Sequence, residues 1–210
     1  MHAGPYGVLG VIIEGYAAAR GRIEFGMPQT KRLFILRHAK SSWDDPGLDD
    51  HERPLAPRGQ RACKVMAEHL RTNEIEPDLV LCSSARRTRE TLESVAPGGE
   101  HLIESELYSA SPGELLDRLR RVPDGVDSVM LIGHNPSVQM LALRLARRDD
   151  NPGERATLER KFPTGALATL TFDCGWSELG PGSARLAAFL TPKELNGNSG
   201  AGAAARENRP

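Results

Sequence analysis

The chain has 210 residues, with 27 Lys and Arg against 28 Asp and Glu, giving a formal net charge of −1. That length favours a single domain, because two halves would each have a poor ratio of core to surface. Near-neutrality excludes a global attraction to nucleic acid or an anionic membrane, and 39 % hydrophobic with 26 % charged residues excludes a disordered chain.

Residues 1–28 show no sustained hydrophobic period, and Met27 stands just before the first strong strand. They are expected to be an N-terminal extension, or to precede the true start of translation. The apolar run Val8–Ile13 is far short of a membrane span and lacks the flanks of a signal peptide. Cys63, Cys82 and Cys174 are scattered, with no paired spacing, which suits a reducing compartment and a cytoplasmic location. Leu33–Leu36 reads as a buried strand, followed by a long polar loop to about Pro57. Arg58–Arg71 places Ala62, Val65, Met66, His69 and Leu70 at helical spacing. Leu79–Cys82 is a second strand and Arg86–Val95 a second helix. Pro112–Val122 is a third helix, with Ser111 as cap and Pro112 in its first turn. Val129–Ile132 is another buried strand, after which Asn135 is expected to cap a helix running to about Arg147. Ala166–Phe172 and Arg185–Leu190 close the core as strands. Residues 194–210 have no apolar face and are expected to form a disordered tail. The alternation predicts a single three-layer α/β domain over residues 29–193, with a mostly parallel sheet covered by helices on both faces.

Three strands end alike. Leu33–Leu36 runs into Arg37-His38, Leu79–Cys82 into Ser83-Ser84-Ala85-Arg86-Arg87, and Val129–Ile132 into Gly133-His134-Asn135-Pro136. In open α/β sheets ligands bind beyond the carboxyl ends of the strands, so these groups are expected at one mouth. Two histidines, several arginines and the N-termini of helices make a pocket for an anion such as phosphate. Arginine outnumbers lysine 22 to 5, and its planar fork suits phosphate oxygens. Arginine does not ligate metals and would repel a cation. No metal site or cofactor is expected.

Leu36-Arg37-His38-Ala39-Lys40-Ser41 resembles the Arg-His-Gly signature of the histidine phosphatase superfamily, with Ala39 in place of the common Gly. Arg53-Pro54-Leu55 followed by Arg58-Gly59 is similar to the segment that follows this signature in the bacterial phosphohistidine phosphatase branch. Ser83–Thr91 resembles the second family motif in a register that makes Arg87, not Arg86, the second phosphate-binding arginine. Gly133-His134-Asn135 resembles the motif of the second histidine. The resemblance spans about residues 31–190 and implies a phosphoglycerate mutase-like fold. It also implies a metal-independent reaction in which His38 attacks phosphorus and forms a phosphohistidine intermediate that water hydrolyses. Arg37 and Arg87 would grip the phosphoryl oxygens, His134 would donate a further hydrogen bond, and Ser41 would add a hydroxyl contact to substrate. Asp44 falls where mutases commonly carry Asn.

Ester cleavage needs a proton donor for its alkoxide. Glu104 and Glu106 are the candidates, and neither sits in the family's usual acid context. An N-linked phosphoryl group leaves as an imidazole and needs less help, which favours phosphohistidine on a protein as substrate. A small-molecule phosphomonoesterase with Glu104 or Glu106 as acid is the second reading, and a phosphate-binding regulatory module the third. Asp44, Asp45, Asp49, Asp50, His51 and Glu52 crowd one loop. The loop has no EF-hand spacing, its HExxH pattern breaks after Glu52, and it reads as a solvated acidic loop able to steer basic partner surfaces.

Overall fold

The computed structural model describes residues 30–149 and 151–203. The expected extension over residues 1–28 lies outside these, as does the end of the chain from residue 204. Six strands form one sheet: β1 (Lys31–Arg37), β2 (Leu79–Ser83), β3 (Glu100–Glu104), β4 (Ser128–Gly133), β5 (Leu167–Phe172) and β6 (Arg185–Leu190). Their order is β3-β2-β4-β1-β5-β6. The pairs among β3, β2, β4 and β1 are parallel, whereas β5 runs antiparallel to both β1 and β6. The sheet is mostly parallel, as the alternation of elements predicts.

Among the described residues six α-helices cover it: α1 (Pro57–Thr72), α2 (Arg86–Val95), α3 (Pro112–Leu119), α4 (Ser137–Leu145), α5 (Pro152–Arg160) and α6 (Pro192–Ala203). Successive strand side chains point to opposite faces, and the core divides accordingly. Leu33, Ile35, Val129 and Leu131 join Leu116 and Leu119 of α3, Leu141 and Leu145 of α4 and Leu158 of α5. Phe34, Leu36, Met130 and Ile132 join Met66 and Leu70 of α1 and Leu92 and Val95 of α2, with Leu195 of α6 packed alongside. The three layers follow directly from strands that are apolar on both faces.

Several boundaries differ from the sequence reading. α3 starts with the reciprocal capping box of Ser111 and Glu114 but stops at Leu119. α4 begins at Ser137, and Asn135 does not cap it; its side-chain amide donates to Gln139 Oε1 (3.0 Å) and the Phe162 carbonyl (3.3 Å) instead. The segment expected as a tail from residue 194 enters α6. Thr191 and Glu194 cap this helix reciprocally, through Glu194 N to Thr191 Oγ1 (3.3 Å) and Thr191 N to Glu194 Oε2 (2.9 Å).

Two glycines hold the end of β1 in place. Gly165 has φ +77°, a conformation that favours glycine, and its N–H reaches the carbonyls of Arg37 (3.0 Å) and His38 (3.1 Å). Gly59, in the first turn of α1, lies against the backbone of Lys40, and a Cβ there would collide with the Lys40 carbonyl oxygen. Gly59→Ala must push α1 away from the segment that follows His38. A loss of about 2 kcal/mol in urea unfolding is expected, with a parallel loss of activity.

Candidate active site

Strand register brings the expected residues together. Arg37 pairs with Gly133, Leu36 with Ile132, and Ile132 with Cys82. The residues that follow each strand therefore emerge at one edge of the sheet, and His38 N donates to the Gly133 carbonyl (3.1 Å). The His38 and His134 rings are 5.2 Å apart.

His38 is only 8 % exposed. Its Nδ1 lies 2.7 Å from the Ala39 carbonyl oxygen. A carbonyl only accepts, so Nδ1 carries the proton and Nε2 keeps its lone pair. Burial pushes the His38 pKa down to about 3, and the charges of His134, Arg87 and Arg37 act in the same direction against the Ala39 carbonyl. The His38 segment is anchored to α2 by the bond from Ala39 N to Thr91 Oγ1 (3.0 Å). His134 Nε2 lies 2.8 Å from Ser83 Oγ, and its Nδ1 faces Arg87 Nη2 at 3.4 Å. Burial first and Arg87 second lower the His134 pKa to about 4, with Asp50 opposing.

Arg87 stands in the first turn of α2, almost fully buried. Its Nη1 donates to the Asp50 carbonyl (2.5 Å) and its Nη2 to Asp50 Oδ2 (2.9 Å). Arg37 donates through Nη1 to the Phe162 carbonyl (2.7 Å), while its buried Nε has no hydrogen-bond partner among the described residues. Arg37, His38, Arg87 and His134 thus converge on one mouth. Ser41 does not join them as a free hydroxyl, because its Oγ accepts from Arg53 Nη2 (2.9 Å).

The acidic loop is solvated as expected, with Asp44, Asp45, Asp49 and Asp50 all exposed. The Asp50 carboxylate nevertheless accepts from Arg53 Nη1 (2.8 Å), Arg87 Nη2 (2.9 Å) and Tyr108 Oη (2.7 Å). The Tyr108 hydrogen bond, with help from Arg87 and Arg53, lowers the Asp50 pKa to about 2. Arg53 also donates to the Ser42 carbonyl (3.0 Å) and stacks 3.1 Å over Trp43. Tyr108 then stands edge-on between His51 (4.9 Å) and His134 (5.5 Å). Sequence reasoning missed Asp50, His51 and Tyr108. The available signals were the three-residue spacing of Asp50 and Arg53 and a lone aromatic in a polar stretch. Among the described residues, no three His, Cys, Asp or Glu side chains gather as they would around a metal ion.

Glu104 and Glu106 lie apart from this cluster in their contacts. Both Glu104 oxygens accept from Arg118, at 2.6 to 3.0 Å, in a pair that is almost wholly buried. Glu106 is exposed and accepts only a long bond from Ser105 (3.3 Å). Glu104→Ala leaves the Arg118 charge buried without its partner, so a stability loss of about 3 kcal/mol is expected with turnover little changed. Denaturant melts and initial rates on the same preparation check this.

The two depressed histidines also make the fold acid-sensitive. An unfolded chain protonates His38 and His134 near the ordinary histidine value, while in the native state they resist until about pH 3 and about pH 4 respectively. Their contribution is whole above pH ~6.5 and is lost progressively as the pH falls towards those values. The melting temperature is expected to drop steeply from pH 6.5 to pH 4, and a His38→Asn, His134→Asn double variant to follow a shallower slope.

The sequence matches the histidine phosphatase superfamily (branch 1) over residues 33–121. An uncharacterized protein of Mycobacterium tuberculosis is 38 % identical over 161 residues, covering 75 % of this chain and all of its own length. The phosphohistidine phosphatase SixA of Escherichia coli is 30 % identical over 148 residues, covering 68 % of this chain and 86 % of SixA. A solved SixA structure from Nakamurella multipartitia is 31 % identical with TM-score 0.70, covering 78 % of this chain and 96 % of that one. With the fold, the family match and full-length relatives in agreement, this chain belongs to the histidine phosphatase superfamily and is a phosphatase.

Proposed function

We propose that the chain is a protein phosphohistidine phosphatase that works without a metal, with His38 as the nucleophile. The observation that carries this is the state of His38. Its Nδ1–H is committed to the Ala39 carbonyl, and its depressed pKa keeps Nε2 unprotonated and free to attack phosphorus. Arg37 and Arg87 would hold the non-bridging oxygens, and the buried Nε of Arg37 has a donor still to place. A phosphoryl dianion arriving beside His134 would favour its protonated form, in which both ring nitrogens donate. The expected contact from Ser41 would require its hydroxyl to donate outward while still accepting from Arg53.

The substrate follows from the carboxyls. Asp50 is held ionised by its partners and Glu104 is committed to Arg118. Neither is a protonated acid for an alkoxide, which disfavours alkyl esters and supports an imidazole leaving group. The likeness to SixA supports the same substrate class. The test is a rate comparison in the presence of a chelator, offering a phosphohistidine-bearing phosphotransfer protein and p-nitrophenyl phosphate, with His38→Ala as control. Fast loss of phosphate from the protein and slow ester cleavage are expected. Comparable or faster ester cleavage would point to a small-molecule phosphatase, and abolition by chelator would sink the metal-independent mechanism.

A further inference from the structure

Resting on that reading, we infer that Glu52, His51 and Ser84 form the proton relay of this phosphatase, in the place where an ester-cleaving relative would need a carboxylic acid. His51 Nε2 lies 2.9 Å from Ser84 Oγ, and His51 Nδ1 lies 2.6 Å from Glu52 Oε1. A carboxylate oxygen only accepts, so Nδ1 holds a proton and Nε2 is the nitrogen that exchanges one with the hydroxyl. Carboxylate, imidazole and hydroxyl in series are the arrangement that moves a proton to or from a reacting atom.

The relay stands on the side from which a substrate arrives. His38 is buried, whereas His134, Tyr108 and His51 are each half-buried, the His51 side chain being 35 % exposed. The rings form a continuous row, with His38 5.2 Å from His134, His134 5.5 Å from Tyr108, and Tyr108 4.9 Å from His51. A leaving group attached to a protein must lie towards solvent, opposite the buried nucleophile. Ser84 follows Ser83, the partner of His134, so its hydroxyl belongs to the same strand end. The other proton carriers of this rim are committed. The Tyr108 hydroxyl gives its hydrogen to Asp50, whose carboxylate is ionised. The hydrogen bond from His51 lowers the Glu52 pKa most, with smaller help from the charges of His51, Arg89 and Arg86, and favours its acceptor form.

His38 Nε2 bonds to phosphorus and the substrate P–N bond breaks, leaving its electron pair on the departing ring nitrogen. That nitrogen takes the Ser84 proton while Ser84 takes one from the protonated His51. In the second half, water attacks phosphorus and the His38–phosphorus bond breaks, releasing inorganic phosphate. The water proton returns through Ser84 to His51.

The test is the dependence of rate on the leaving group in His51→Gln and Ser84→Ala, with melting temperature as the check on folding. Both variants should lose about 10²-fold on the phosphohistidine protein and on phenyl phosphate. On 2,4-dinitrophenyl phosphate, whose leaving group needs no proton, each should lose less than about threefold. An equal loss on all three substrates, or none on any, would overturn the relay. A selective loss in His51→Gln with none in Ser84→Ala would overturn the transfer through the hydroxyl. Failure of the phosphatase reading is separate, because it would appear in the unmodified protein and in His38→Ala.

Discussion

His38→Ala is expected to lower kcat by about 10⁴-fold or more on any phosphorylated substrate, because it removes the atom that forms the covalent bond. What remains is binding and the electrostatic field of the arginines, which supply only part of the acceleration. The same change should abolish labelling. Wild-type protein mixed with a ³²P-phosphohistidine substrate and quenched in alkali should carry label, and brief acid treatment should release it, as phosphoramidates require. A His38→Ala protein that still takes up label would place the covalent intermediate elsewhere. A melting curve of the variant at neutral pH separates lost chemistry from lost folding. Because burial suppresses protonation of the His38 imidazole, the variant should also melt less steeply in acid.

Some of this architecture is written locally in the chain and some is not. Leu33–Leu36, Leu79–Cys82 and Val129–Ile132 are apolar at every position because each is buried on both faces, and runs of that kind identify central strands without any partner being known. The residues just beyond them were legible as a site for the same reason: the strand ends set where they emerge. β3 was not legible as an element. It is an edge strand whose residues alternate between half-buried and exposed, with Glu100, His101 and Glu104 among them. α5 was missed because Leu158 is its one fully buried residue, too little to impose a helical period. Asp50 is exposed, as an acidic loop implies, but nothing near it in sequence reports its partners. Arg87 lies 37 residues on and Tyr108 58 residues on, and only the folded sheet edge brings them to one carboxylate. Glu104 reads as a candidate acid for a related reason, since Arg118 is 14 residues away on a helix whose charged side would be expected in solvent.

Arg87→Ala is expected to have the second largest effect, a fall in kcat/KM of about 10²- to 10³-fold. Arg87 is the side chain that ties the acidic loop to the histidines, with two bonds to Asp50 on one side and His134 on the other. Its loss removes a phosphoryl grip and also a charge that lowers both histidine pKa values. Two consequences can be measured apart. The grip appears as weakened inhibition by tungstate or inorganic phosphate. The charge appears in the acid limb of the kcat/KM profile, which depends on unprotonated His38. In wild type that limb belongs near pH 3, below the range where the fold is comfortable, so the rate should be nearly flat from pH 7 to pH 5. In Arg87→Ala the limb should move upward only modestly, because burial, the largest cause of the depression, remains. Arg87→Lys separates the two effects, because lysine keeps the charge without the planar fork. It should leave the acid limb near its wild-type position and still bind oxyanions weakly. If Arg87→Ala retained wild-type rates, Asp50 and not a phosphoryl group would be the natural occupant of that guanidinium, and the phosphate grip would have to come from Arg37 alone.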